Sequence, residues 1–266
     1  MKLLLQADDY GITRGVAKGI VYGIEHGIIR NTGLFANMPW TAECVEWIRP
    51  CLNKISFGID LNITTGSPLL SVEKIPTLVK ENGTFYTSWE SRRLDAERAE
   101  NNHAASEDIF KEYDAQIQRF IKLVGKKPDY IHSHAYSTER TIQIQRDLAK
   151  KYGILYSSDV WKKIVGYEVP QYRIPWYLKP ATFENQMKSS LKQYILENST
   201  ELLEHKYSLI VGHMGYVDRE LTDLSTYSLY RINDLDAVIS PEILRWVEDN
   251  HVEIVTYLEL EKELMS

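Results

Sequence analysis

The stretch Leu3-Leu4-Leu5-Gln6-Ala7-Asp8-Asp9-Tyr10-Gly11 decides the fold of this sequence. An apolar run that ends at a turn signal is typical of a buried strand. Asp8 and Asp9 then stand at the carboxyl end of that strand, where α/β folds place their chemistry. Two adjacent buried carboxylates repel each other, and a divalent cation is the simplest compensation. The alternative is that both residues only form the turn and N-cap of the next helix.

The composition limits the classes of protein that fit this chain. Its 266 residues suit one α/β barrel as well as two average domains, and its 44% apolar content supports a large core. The net charge of −6 argues against nucleic acid as a partner. Cys44 and Cys51 have the spacing of neither a zinc site nor a disulfide framework, so we expect reduced thiols. The first apolar run is too short for a signal peptide and no run has membrane-spanning length. We therefore expect a cytoplasmic protein with no membrane partner.

A strand followed by a helix recurs about seven times along the chain. This alternation predicts parallel strands joined by right-handed crossovers. We predict an α/β fold, a distorted, TIM-like (β/α) barrel of about seven parallel strands. An open doubly wound sheet is the alternative, but no Gly-rich dinucleotide fingerprint follows the first strand. The predicted strands are the opening stretch, Gly33–Asn37, Ile55–Asn62, Tyr130–His134, Ile154–Tyr156, Tyr207–His213 and Val252–Val255.

No Pro-, Gly- or Ser-rich boundary divides the chain, so residues 1–266 are predicted to form a single domain. Two irregular, aromatic-rich segments, at about 66–104 and 160–182, are predicted insertions because they are too long for ordinary connections. Helices are predicted after the cap Thr13 and over Thr41–Leu52, Glu107–Leu123, Thr138–Tyr152, Phe183–Leu203 and Pro241–Asn250, with a last helix at the end.

Residues that bind metals or move protons fall at the carboxyl ends of the predicted strands. The mouth of a barrel brings such ends together, so residues far apart in sequence meet in one site. The pair His132 and His134 is the stronger signal, because the two-residue period of a strand puts both imidazoles on one face. Carboxylates and imidazoles with open positions hold a catalytic divalent ion. The candidates are Asp8, Asp9, Asp60, His132, His134 and His213, whereas His26, His103, His205 and His251 are expected to be structural.

Five short segments, taken in order, resemble the motifs of the YdjC/ChbG-type carbohydrate deacetylases. They cover nearly the whole chain. They are Ala7-Asp8-Asp9-Tyr10-Gly11, Gly58-Ile59-Asp60-Leu61-Asn62-Ile63-Thr64, Lys127-Pro128 with His132-Ser133-His134, His213-Met214-Gly215-Tyr216-Val217-Asp218, and Tyr230-Arg231 with Leu235-Asp236.

The resemblance implies a distorted barrel that hydrolyses the N-acetyl group of a sugar such as a chitooligosaccharide or its phosphate. It implies one divalent ion per chain, with Asp9, Asp60 and His134 at the ligand positions. Asp8 matches the family's proposed base and His213 its proposed acid. Asn37, Asn62, His132, Tyr136 and Arg231 are assigned more weakly to substrate binding or to the surroundings of the ligands.

Three positions depart from the family pattern. Asp60 and Tyr136 stand where the family has histidines, and His132 stands where it has an aspartate. A ligand set of Asp9, Asp60 and His134 contains two carboxylates, which are hard oxygen ligands. Such ligands favour Mg²⁺, with Mn²⁺ or Zn²⁺ as alternatives. A second carboxylate also lowers the net charge of the ion and makes it a poorer Lewis acid. In the alternative, His132 joins the ligands.

Two other functions remain open from the sequence. Another metal-dependent barrel hydrolase, such as an amidohydrolase or phosphoesterase, would also use the His132 and His134 pair. A sugar-binding protein that kept the fold and lost turnover would explain the three departures. Four tryptophans could stack on sugar rings or instead close the insertions over the core, namely Trp40, Trp89, Trp161 and Trp176. The expected partner is a small acetylated sugar, and a homodimer is the default oligomer.

Overall fold

The computed structural model describes residues 1–98, 102–168 and 171–265. Within these residues seven parallel strands form one sheet, and the predicted apolar runs supply each of them. The strands are β1 (Lys2–Tyr10), β2 (Asn31–Leu34), β3 (Ser56–Leu61), β4 (Tyr130–Ser133), β5 (Leu155–Tyr156), β6 (Tyr207–Gly212) and β7 (Glu253–Val255).

Strand β1 is the centre of the sheet, whose order is β5-β4-β3-β2-β1-β6. One edge of β1 pairs with β6. The other edge pairs with β7 near Lys2 and with β2 from Gln6 onward. The register with β2 shifts between Ala7 and Tyr10, so β1 bulges where Asp8 and Asp9 lie. A bulge turns side chains out of the regular alternation and is common beside active sites.

The sheet curves into a half-barrel. In the described part of the chain, its path ends at β5 and β6, and helix α6 (Ser157–Val165) packs against β6 at this open side. The prediction of a distorted, parallel, about seven-stranded barrel is confirmed. Because every strand runs the same way, their carboxyl ends share one edge, which carries the candidate site.

Helices surround the sheet and bury their apolar faces against it. In α1 (Arg14–His26), Val16, Ile20 and Ile24 recur at helical spacing and are buried. The Thr13 hydroxyl caps this helix as predicted, because it accepts a hydrogen bond from the Val16 backbone N–H. The other helices are α2 (Thr41–Ile48), α3 (Ser88–Ala96), α4 (Ser106–Val124), α5 (Glu139–Tyr152), α7 (Phe183–Lys188), α8 (Leu191–Glu197), α9 (Ser199–Glu204), α10 (Arg219–Leu224), α11 (Leu229–Ile239), α12 (Pro241–Asp249) and α13 (Tyr257–Met265).

Some predicted boundaries differ from the structure. The single helix predicted over Phe183–Leu203 is three short helices, because Ser189 is extended and the Ser190 hydroxyl caps α8 anew. Helix α2 tightens into a 3₁₀ turn at Arg49–Cys51, where Pro50 lacks an N–H. Residues 160–165 complete α6, although the sequence predicted an irregular segment from 160. Residues 99–101 and 169–170 of the two predicted insertions lie outside the described residues.

The insertion after β3 carries its own ordered elements. A 3₁₀ turn at Val72–Lys74 precedes α3, whose start is fixed by a capping box between Thr87 and Glu90. Tyr136 and His103 both bond to Asp95 of α3, so the insertion is tied to the loop after β4. No helix in the described ranges combines the length and apolar character needed to cross a bilayer.

Candidate active site

A cavity of about 960 Å³ opens at the carboxyl ends of the strands. Its volume lies at the upper end of the range typical of small-molecule sites. Most of the predicted site residues line it, so the structure brings together groups from β1, β3, β4, β6 and α11. They are Asp8, Asp9, Asp60, His132, His134, His213 and Arg231.

Asp9 lies at the centre of this cluster. Its Oδ1 is 2.8 Å from Nδ1 of His134, and its Oδ2 accepts a 2.6 Å hydrogen bond from Nη2 of Arg231. Burial would raise the pKa of the Asp9 carboxyl, but the charges of His134 and Arg231 outweigh it and hold that pKa well below its usual value. Asp9 is therefore an anion whose charge is compensated by the Arg231 guanidinium.

The backbone of Asp9 is left-handed, with φ +70°. Aspartate is one of the few residues that tolerate this region. The Asp9 N–H donates to Oδ2 of Asp60 over 2.8 Å, which holds the unusual conformation in place. The bulge in β1, the left-handed backbone of Asp9 and its hydrogen bond to Asp60 together fix the direction of the Asp9 carboxylate.

Asp60 lies beneath the cluster and is fully buried. Its Oδ1 has no hydrogen-bond partner among the described residues. A Cβ built at Gly33 would lie 1.8 Å from that oxygen, so Asp60 fits only because residue 33 is glycine. Burial first, and then the charge of Asp8, raise the pKa of Asp60 well above its usual value. Burial and the neighbouring carboxylates thus disfavour the charged form of Asp60.

Asp8 and His132 form a second pair. Oδ1 of Asp8 accepts from Nε2 of Gln6 over 2.6 Å, and its Oδ2 is 3.6 Å from Nε2 of His132. Nδ1 of His132 lies 2.8 Å from Oγ of Ser157. Burial would lower the pKa of His132, but the charge and hydrogen bond of Asp8 raise it above the usual value. The substitution of histidine for the family's aspartate thus places a proton-binding group beside Asp8.

His213 stands on the other side of Asp9, with Nε2 3.9 Å from Oδ2 of that residue. Burial lowers the pKa of His213 to about 4, although Asp9 acts in the opposite direction. The imidazole is therefore neutral near pH 7. Its backbone N–H donates to Asp234 over 3.0 Å, and the hydroxyl of Tyr177 lies 3.3 Å from Nδ1.

The structure places three predicted residues away from the cavity wall. Asn37 and Asn62 bond to each other, and both donate to the carbonyl of Thr65, so they fix the loop after β3. Tyr136 donates to Asp95 in the insertion. These side chains support the site through loops that line it.

The predicted metal ligands Asp9, Asp60 and His134 are adjacent in the structure. The two oxygens of Asp9 contact His134 and Arg231, and Asp60 is fully buried. In the described ranges, no group of three His, Cys, Asp or Glu side chains is arranged to hold a metal ion. The divalent ion stays a prediction from the sequence.

Several site residues were missed by the sequence analysis. Oγ1 of Thr65 lies 3.2 Å from Nε2 of His134, and Asp234 accepts from His213 and Tyr177. A signal for Asp234 exists, because it follows Arg231 by three residues and precedes Leu235. The resemblance above uses Asp236 as the acid of this motif, but Asp236 is exposed and Asp234 is buried. Thr65 carries no comparable signal.

The rim of the cavity combines an aromatic ring with cations. Trp89 of α3 lines the cavity and is 70% exposed. Arg92, Arg173 and Lys179 line the same opening. A flat apolar ring and positive charges at one mouth suit a sugar that carries an anionic group.

Comparison with known sequences covers nearly the full chain. The profile of the family described as YdjC-like protein matches residues 2–249. A protein of Listeria innocua named carbohydrate deacetylase 2 is 29% identical over 266 residues, which span 99% of this chain and 100% of the relative. A carbohydrate deacetylase of Thermoanaerobacter pseudethanolicus is 29% identical over 262 residues, 96% of this chain and 97% of the relative.

Comparison with solved structures supports the fold. A crystal structure from Enterococcus faecalis, whose description proposes cellobiose-phosphate cleavage, superposes with a TM-score of 0.78 at 24% identity. The match covers 97% of this chain and 98% of the other.

Proposed function

Because this chain belongs to the YdjC-like protein family, we propose that it is a carbohydrate deacetylase, a hydrolase that cleaves the amide C–N bond of an N-acetylated sugar. Relatives that align over almost their full length carry that name. The observation that carries the proposal is that Asp8 and His213 line one cavity around the Asp9 carboxylate.

The chain's own groups supply an acid and base pair for this reaction. Asp8, with Oδ2 toward His132, takes a proton from the water that attacks the acetyl carbonyl carbon. His213 enters the reaction neutral and receives the proton that Asp8 took from the attacking water, which restores the Asp8 carboxylate. It then gives that proton to the sugar nitrogen as the C–N bond breaks, which leaves acetate and a free amine.

The finer proposal is that the substrate is a chitooligosaccharide or its phosphate. The volume of the cavity and the exposed ring of Trp89 support a substrate of more than one sugar ring. Arg92, Arg173 and Lys179 at the rim favour a phosphorylated form. Phosphorylation of the disaccharide should lower KM, and added salt should reduce the difference.

The test is acetate release from N,N′-diacetylchitobiose and its phosphate. Protein stripped of metal is assayed alone and with Mg²⁺, Mn²⁺ or Zn²⁺ added. Release that requires a metal supports the predicted metal dependence, and release without metal shows that the chain's own groups suffice. No release under any condition, with either sugar, rejects the proposed activity on this substrate class.

A second candidate is a sugar-binding protein without turnover. The observation that favours it is the engagement of both Asp9 oxygens by His134 and Arg231. Calorimetric binding of the disaccharide without acetate release would support this candidate against the deacetylase.

A further inference from the structure

A chain of buried hydrogen bonds connects helix α6 to the candidate base Asp8. Nε1 of Trp161 donates to the hydroxyl of Tyr257 over 2.6 Å, and that hydroxyl donates to Oε1 of Gln6 over 2.5 Å. Nε2 of Gln6 then donates to Oδ1 of Asp8 over 2.6 Å. We call Trp161, Tyr257 and Gln6 the Asp8 relay.

The direction of every bond in the Asp8 relay is fixed by its first member. An indole N–H only donates, so the Tyr257 oxygen accepts and its proton is free to go to the next partner. Gln6 must then present its carbonyl oxygen to Tyr257, which turns its NH₂ group toward Asp8. No other assignment of the Gln6 amide satisfies both neighbours.

The relay is almost completely buried, and of its three members only Trp161 lines the cavity. Gln6 and Tyr257 are fully buried, and Trp161 is 1% exposed. Water is therefore not at hand to replace a lost partner, and removal of one member leaves the next one unpaired.

The three members come from separate elements of the fold. Gln6 lies in β1, Trp161 lies in the helix at the open side of the half-barrel, and Tyr257 begins α13. Tyr257 lies beyond residues 2–249, which the family profile matches.

We propose that Gln6, Tyr257 and Trp161 are positioning residues that orient the Asp8 carboxylate for the reaction. The relay holds Oδ1 of Asp8, which leaves Oδ2 directed to His132 and the cavity. This inference rests on the proposed function, in which Asp8 is the base. Loss of the relay frees the carboxylate to rotate and lowers kcat, while sugar binding is retained.

The test compares two tyrosine variants that each lose one buried oxygen. Tyr257→Phe breaks the relay. Tyr130→Phe is its matched control, because the Tyr130 ring stacks on Tyr257 at 4.1 Å and its hydroxyl has no partner among the described residues. We expect Tyr257→Phe to lower kcat about tenfold with KM within about twofold, and Tyr130→Phe to leave both unchanged.

Gln6→Leu and the double variant Gln6→Leu/Tyr257→Phe test whether the residues act as one unit. The double variant should be no slower than Gln6→Leu alone, because the relay is already broken. Circular dichroism shows whether Gln6→Leu folds. If it does not fold, the comparison of Tyr257→Phe with Tyr130→Phe alone tests the proposal. Equal kcat values in Tyr257→Phe and Tyr130→Phe, or multiplying losses in the double variant, overturn the proposal.

A readout without turnover separates failure of the relay from failure of the proposed function. Hydrogen exchange of the Trp161 indole N–H, followed by NMR, should be slow in the wild type and in Tyr130→Phe and faster in Tyr257→Phe. If the wild type releases no acetate, the deacetylase proposal and the role in turnover both fail. The exchange rates then test only whether the hydrogen-bonded chain exists. Equal rates in Tyr257→Phe and Tyr130→Phe would reject the hydrogen-bonded chain as well.

Discussion

Arg231 donates from Nη2 to Oδ2 of Asp9 across 2.6 Å, and both side chains are almost completely buried. The two residues come from α11 and β1, so this ion pair joins the late helices to the central strand. Arg231 also donates from Nε to the carbonyl of Tyr227, which fixes the plane of the guanidinium.

Replacement of Arg231 with methionine leaves the Asp9 carboxylate buried without its main permanent cation. We expect Arg231→Met to lower the free energy of unfolding by about 3–5 kcal/mol, measured by urea denaturation. The matched control is Arg219→Met, since Arg219 forms a pair of the same length with Asp223 on the exposed surface. An unchanged midpoint in Arg231→Met would mean that Asp9 does not depend on this partner.

His213 makes stability depend on pH. Burial lowers its pKa from 6.5 to about 4, so the unfolded chain binds a proton in this interval and the folded chain does not. Stability is therefore full above pH 6.5 and falls as the pH drops toward 4, by about 3 kcal/mol for this group. His213→Gln should lose less stability than the wild type between pH 7.5 and 4.5 in urea titrations. Parallel pH curves for the two proteins would contradict the lowered pKa.

Asp8→Asn removes the proposed base and keeps the size of the side chain. Acetate release should fall at least about 100-fold, because an amide does not accept the proton of the attacking water. Asp236→Asn, on the exposed face of α11, is the control and should keep full activity. Comparable rates for Asp8→Asn and the wild type would assign the base to another residue.

Trp89→Ala tests the aromatic rim. The ring is 70% exposed at the cavity, so we expect a KM increase of about tenfold for the disaccharide with kcat unchanged. Phe183→Ala is the matched control, because Phe183 is 73% exposed but lies outside the cavity wall. If both variants keep the wild-type KM, Trp89 does not contact the sugar.

The strands and the meeting of distant residues were predictable from local patterns. Apolar runs that end in Asp8 and Asp9, in the His132 and His134 pair, and in His213 are properties of short segments. Parallel topology then brings their ends together without further information. The period of two residues likewise put His132 and His134 toward one side.

The partners of these residues were not predictable in the same way. The pairing of Arg231 with Asp9 depends on how α11 packs, and the raised pKa of Asp60 depends on its burial, for which Gly33 leaves the space. Asn62 was predicted as the last residue of the third strand, but β3 ends at Leu61 and Asn62 lies in the following loop. Packing between elements decides these features, and no local pattern encodes it.

The pairing of β1 has a consequence for the order of folding during synthesis. β1 is synthesised before the other six strands of the sheet, yet its edges are completed by β6 and β7, which follow all the others in the chain. Until then the Leu3-Leu4-Leu5 segment has unpaired backbone groups and exposed apolar side chains, which favours aggregation or chaperone binding. Pairing over such long sequence separations is also slow. Of the seven strands described, the one that carries Asp8 and Asp9 is thus synthesised before the others and is among the last to be completed.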